Sequence, residues 1–199
     1  MSGVGGGAGG LDVWLARFLD VLGRKTRRSW APRYLRGLLG PGERKSLQPM
    51  AAQLGLSGHD QLQPFIASPA WHDGLLWMEL ARTADRLVGG PGAYLVIDDT
   101  ALPKQGEVPV GVTRQYGGPL GKKANCQAPV SLTLAQGEVP VGLRLFLPET
   151  WTADPDRCAR AGVPEAQIAA RRKGEIALAE LDRLRAAGGR FGTVLADAG

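Results

Sequence analysis

Cysteine and histidine are scarce in this chain, two of each among 199 residues. Cys126 and Cys158 stand far apart and form no Cys-x-x-Cys. With only His59 and His72 beside them, they do not give the ligand spacing of a zinc site. Two reduced thiols in a cytoplasmic protein are expected instead. No apolar run approaches the roughly 18 residues that a membrane span needs. The N-terminal MSGVGGGAGG has neither the positive n-region nor the apolar h-region of a secretory signal. Its glycines follow no strand, so they do not make a phosphate loop, and residues 1–10 are expected to be a disordered tail. Acidic charge is short at the same end. Between Leu11 and Met50, nine Lys/Arg face three Asp/Glu, while the rest of the chain is nearly neutral at 15 against 16. The formal charge of +5 therefore belongs to the N-terminal part, and it is densest in RKTRRSW, Arg24 to Trp30.

Apolar residues make up 44% of the chain, enough for a real core. Residues 11–90 read as a helical domain. Leu11, Trp14, Leu15, Phe18, Leu19 and Leu22 follow the spacing of one helix face, and Gly23 stops it. WAPRYLRGLLG reads as a second helix with Pro32 near its first turn and Gly40 ending it. Two short units divided by Gly and Pro follow, and their pattern over Leu47 to Trp71 is compatible with a helix-turn-helix. Trp71 to Gly90 reads as a longer amphipathic helix.

From Ala93 the period changes. YLVID is short and continuously apolar, the pattern of a strand buried on both faces. Pro129 to Pro148 reads as a hairpin. Val130, Leu132 and Leu134 alternate with Ser131 and Thr133, and Val139, Val141, Leu143, Leu145 and Leu147 alternate again with Arg144 facing the other way. The heptapeptide QGEVPVG occurs twice, at Gln105 to Gly111 and at Gln136 to Gly142, and reads as a recurring turn-plus-strand phrase. A helix is expected from Pro164, a first-turn proline, to a stop at Gly188-Gly189. FGTVLAD then reads as a second short buried strand. The expected class is α+β: helical residues 11–90, then residues 91–199 in the order strand, two-stranded hairpin, helix, strand.

Each of the two apolar strands ends in an acid, Asp98 and Asp197. An acid at a buried strand end needs a compensating partner. A turn or helix cap at Asp98-Asp99-Thr100 is one reading. The other needs the two strands side by side and parallel, joined by the crossover helix, so that both acids emerge at one sheet edge. Two carboxylates that close repel, and Mg²⁺, which takes one or two carboxylates and keeps waters for phosphate ligands, answers the repulsion. A haloacid-dehalogenase type of phosphatase also has an apolar strand ending in Asp, but its acids are separated by one residue, and here they are adjacent.

The segments YLVIDDTALPKQG, GVTRQYGGPLGKKANCQAPVSLTL, PVGLRLFLPETW, KGEIALAELDRL and VLADAG resemble the bacterial insertion-sequence transposases of the DDE superfamily. The resemblance runs from about Trp14 and is strongest from Tyr94 onward. It implies an RNase H-like catalytic core in residues 91–199. It implies that Asp98, opening the D-(D/E)-T motif, and Asp197, in the A-D-(A/S)-G motif, are catalytic metal ligands for Mg²⁺, with Mn²⁺ as a substitute. Asp99 falls on the variable motif position. The implied chemistry is metal-dependent phosphodiester hydrolysis and strand transfer. The implied partner is double-stranded DNA, at transposon ends and target, in the bacterial nucleoid, with a homodimer as one form open to the full-length protein. The family's third acid is a glutamate on a later helix, beyond Gly199. The chain is therefore expected to be the front portion of a transposase, truncated before that acid and inactive alone, with a non-catalytic DNA-binding remnant as the alternative. Candidate DNA contacts are Arg24, Lys25, Arg27 and Arg28 in the basic segment, and Arg114, Lys122 and Lys123 in a loop from Arg114 to Gln127, where Tyr116 could stack on a base or sugar. Solvated cations on a helix end and on a hairpin are the plainer reading of both clusters.

Overall fold

The structure, a computed structural model, describes residues 8–68 and 71–197. Most of the tail expected over 1–10 lies outside the described residues, but its end at Ala8 to Gly10 already belongs to α1 (Ala8–Val21). By contact the chain divides into Met1–Glu79 and Leu80–Gly199, a division that falls inside α5 (Gly74–Val88).

In the first unit, α1 is followed by α2 (Lys25–Leu39), α3 (Leu47–Gln53) and α4 (Gln63–Ile66). The basic segment is not a connector. It forms the first turns of α2, which runs through Pro32 at the cost of one backbone hydrogen bond. Met50, Ala51 and Leu62 are buried beneath Trp30, Tyr34, Leu38, Leu47, Leu54 and Leu56. α4 is a single turn of four residues, so among the described residues from Leu47 to Trp71 there is no second helix long enough to lie along a groove.

The second unit holds the β-structure. Its main sheet has the order β6-β5-β1-β7, with β1 (Tyr94–Asp99), β5 (Pro129–Leu134), β6 (Val139–Leu145) and β7 (Thr193–Ala196). β1/β5 and β5/β6 are antiparallel, and β1/β7 are parallel. Leu95, Leu132, Leu134 and Val141 make one buried face with Ala81 and Ala84 of α5 and Leu184 of α8 (Lys173–Ala186), which follows the short α6 (Glu149–Thr152) and α7 (Pro155–Arg160). α8 starts at Lys173, nine residues after Pro164. The Arg172 N–H donates to Glu175 Oε2 at 2.7 Å, which caps the helix there. At its other end Gly188, at φ 89°, turns the chain, and the Gly189 N–H closes on the Leu184 carbonyl.

Two apolar strands are less buried than their composition suggests. Leu95 is fully buried, but Tyr94 is 47% exposed, because the described residues of α5 and α8 pack on the Leu95 face of the sheet. β7 is exposed along its length, since it is an edge strand and α8 packs over β5 and β6. The hairpin also departs from simple alternation. A register shift between Leu132 and Thr133 pairs Leu134 with Val139 but Leu132 with Gly142. Past that bulge the parity of β6 is reversed. Leu143 pairs with Ser131 on the open face and is 45% exposed, while Arg144 pairs with Val130 and lies on the covered face.

A second sheet occupies what reads as a loop in the sequence. It has the order β2-β4-β3, with β2 (Leu102–Pro103), β3 (Thr113–Gly117) and β4 (Lys122–Gln127). Of the two QGEVPVG copies, only the second makes a turn and a strand. The first, whose backbone pairs with no strand, forms bends and a turn at Val110 and Gly111, and side chains serve its carbonyls: Asn125 Nδ2 to Gly106, Arg157 Nη2 to Glu107 and Gln127 Nε2 to Val110.

Candidate functional site

β1 and β7 run parallel with Ile97 beside Ala196. Asp98 follows Ile97 and Asp197 follows Ala196, so one further step of the same register opposes the two acids. Neighbouring strands lie about 4.8 Å apart. Asp98 shares the open face of the sheet with its cross-strand partner Ser131, and both acids are exposed. The Asp99 backbone N–H donates to Asp98 Oδ1 at 2.7 Å, and Ser131 Oγ donates to the Asp98 carbonyl at 3.2 Å. These bonds orient Asp98 and leave its second carboxylate oxygen open. Asp99 projects from the opposite face, where Lys173 Nζ holds it at 2.5 Å. A lysine at the start of α8 opposes the helix dipole, and Asp99 offsets it. The three adjacent acids are thus sorted by strand parity and ion pairing. One is engaged with α8, and two stand at neighbouring strand ends. Two oxygen donors of this kind fit a hard divalent cation. Among the described residues no group of three His, Cys, Asp or Glu is gathered that could hold a metal.

The position of β7 depends on contacts remote in sequence. Asp85, near the end of α5, accepts from the Arg190 backbone N–H at 2.8 Å and from its guanidinium at 3.1 Å. Burial acts to raise the Asp85 carboxyl, but the hydrogen bonds and charge of Arg190, with Arg86, outweigh it, and the net direction is below the ordinary value. The Gly90 N–H donates to the Arg190 carbonyl, and the Gly192 N–H to that of Ala93. A Cβ on Gly192 would collide with the Pro91 carbonyl oxygen, so the entry to β7 requires glycine. On the other side of the sheet's covered face, Glu180 of α8 accepts from Arg144 Nε at 2.6 Å and Arg183 Nε at 2.8 Å, and Arg183 Nη2 donates to the Val141 carbonyl at the bulge.

The candidate DNA contacts do not behave as single clusters. Arg24, Lys25 and Arg28 are exposed at the start of α2. Arg27 is half-buried, its guanidinium 5.0 Å from the Trp71 ring centroid and 3.4 Å from Ser68 Oγ. In the second sheet, pairing of Arg114 with Asn125 and of Tyr116 with Lys123 puts Arg114, Tyr116 and Lys123 on one face, whereas Lys122, paired with Gly117, falls on the other. Sequence reasoning missed three residues: Ser131, which supports Asp98; Lys173, which binds Asp99; and Lys104, which extends the second sheet. The two-residue strand before Lys104 contains a proline and carries no readable period.

The chain matches the family described as "DDE superfamily endonuclease" over residues 17–199. A comparison with curated proteins gave no match.

Proposed function

The chain belongs to the DDE superfamily endonucleases, and from that premise we propose that Asp98 and Asp197 are the paired metal-holding acids of a DNA-cleaving site. The family acts on DNA and is generally divalent-metal dependent. The observation that carries the proposal is the parallel pairing of β1 with β7 in a register whose next step opposes the two acids. The order β6-β5-β1-β7 supports an RNase H-like core. Asp98 and Asp197 would hold Mg²⁺ or Mn²⁺, which supplies Lewis acidity toward a phosphodiester. Asp98 is aimed by the Asp99 N–H, and Asp99 is drawn away by Lys173 so that the pair is not a crowded triplet. The substrate we propose is transposon-end DNA, cut and then joined to a target at the nucleoid, with a homodimer as the acting form. Arg24, Lys25 and Arg28 neutralise phosphates from one unit, and Arg114, Lys123 and Lys122 from the other.

The test is a Mn²⁺ titration followed by electron paramagnetic resonance. Asp98→Asn and Asp197→Asn are each expected to weaken binding by about tenfold or more, and Asp99→Asn by far less. Equal binding by the wild type and both variants would sink the paired site. A third carboxylate completes such a site in the resemblance, and none joins the pair among the described residues.

A further inference from the structure

The second sheet presents a solvent face of uniform chemistry. Strand pairing places Arg114 beside Asn125 and Tyr116 beside Lys123, and residues two apart on a strand share a face. Lys104, just past β2, donates its backbone N–H to the Asn125 carbonyl and so adds a third column to the Arg114–Asn125 row. Burial on β3 follows this parity: Arg114 and Tyr116 are exposed, while Thr113 and Gln115 are half-buried; on β4 Lys123 is exposed, Asn125 half-buried and Cys126, on the other face, fully buried. Tyr116 is 63% exposed in mid-strand, with no aromatic neighbour among the described ring contacts. From Ala101 to Gln136 the only acid is Glu107, against Lys104, Arg114, Lys122 and Lys123.

We propose that this face binds an unpaired nucleic-acid strand, with a base stacked on Tyr116 and phosphates held by Lys104, Arg114 and Lys123. The inference rests on the DNA reading above and adds the single-stranded state of the ligand. Cations alone would serve a duplex equally well, because a duplex offers phosphates on its outside. An exposed aromatic ring among them gains most from a strand whose base faces are open, since duplex bases already stack on one another. The cross-strand position of Lys123, with its Cβ about 5 Å from that of Tyr116, sets a phosphate contact next to the stacking ring. β2 begins three residues after Asp99, so the face is joined to the acid-bearing strand by a very short link. An unpaired strand end is also what a nuclease site at that strand would generate or receive.

Fluorescence anisotropy with labelled oligothymidine and with a duplex of equal length tests the proposal. Tyr116→Ala is expected to weaken oligothymidine binding by about tenfold or more and to leave duplex binding within about twofold. Tyr116→Phe, which keeps the ring, is expected to match the wild type, and this separates stacking from any loss of folding. Lys123→Ala is expected to weaken both ligands and to lower both salt slopes by about one. An equal loss on the two ligands from Tyr116→Ala, or no loss on either, overturns the single-strand assignment while the DNA reading stands. Failure of the wild type to bind either ligand overturns the DNA reading itself, and this inference with it.

Discussion

Removing the carboxylate of Glu180 is expected to destabilise the second unit. Its side chain is 7% exposed and sits between Arg183 at 18% and Arg144 at 31%. Breaking a buried pair by deleting one partner costs roughly 3–5 kcal/mol, mostly because the remaining charge stays buried. Arg183 would lose its carboxylate while keeping its bond to the Val141 carbonyl. Arg144 is nearly a third exposed and can turn toward water, so its share must be discounted. Glu180→Gln, which preserves shape, should then cost about 1–3 kcal/mol, and Glu180→Ala about 2–4 kcal/mol once its cavity is included. Equilibrium urea unfolding reads both as a lower midpoint at unchanged slope. Replacing the three charged residues together by apolar ones of similar volume should recover much of the loss. A Glu180→Gln protein within about 0.5 kcal/mol of the wild type would refute the reasoning. It would mean that water already reaches the cluster and that the covered face of β6 is looser than its geometry implies.

The Asp85–Arg190 pair predicts an acid-side loss of stability. Because the folded value of Asp85 is depressed, its contribution is fully present above the unfolded value of about 3.9 and disappears as pH falls through the folded value; Asp85→Asn should flatten that part of the stability profile in acid-unfolding experiments. Gly192→Ala should destabilise the chain by more than about 1 kcal/mol, because the added methyl meets the Pro91 backbone rather than a side chain that can move; a thermal melt unchanged from the wild type would contradict this. Lys173→Ala breaks an ion pair whose members are 39% and 41% exposed, and should cost under about 1 kcal/mol in urea. Changing Arg24, Lys25 and Arg28 together to Ala should flatten the plot of log affinity for DNA against log salt by up to about three units, one for each phosphate contact. Arg27→Ala should act chiefly on stability, given its contacts with Trp71 and Ser68, and an unchanged salt slope in the triple variant would assign all three residues to solvent.

The sequence by itself determined the helical character of the N-terminal part, the order of strand, hairpin, helix and strand around the main sheet, and the two acids at strand ends, but not the second sheet, which reads as a loop. Periodicity and terminal acids are local properties, and they survive without knowledge of neighbours. The tertiary structure decided which side chains face which way. QGEVPVG shows why. Gln136 to Gly142 turns and becomes β6 because β5 lies beside it, with Glu138 at φ 51°; Gln105 to Gly111 has no strand to pair with and instead turns at Gly106 and Gly111, at φ 74° and 73°. The bulge at Val141 likewise has no signature in the alternation of β6, yet it turns Leu143 outward and brings Arg144 under α8 to Glu180. Lys104, Arg114 and Lys123 share a face, and Lys122 does not, only because three strands pair in register. The candidate site follows the same division. Asp98 and Asp197 were legible as residues. Their placement at neighbouring strand ends rests on parallel pairing across almost a hundred residues of chain, held by Asp85, Arg190 and the close approach at Gly192. A long-range register is set by packing, and no local pattern encodes it.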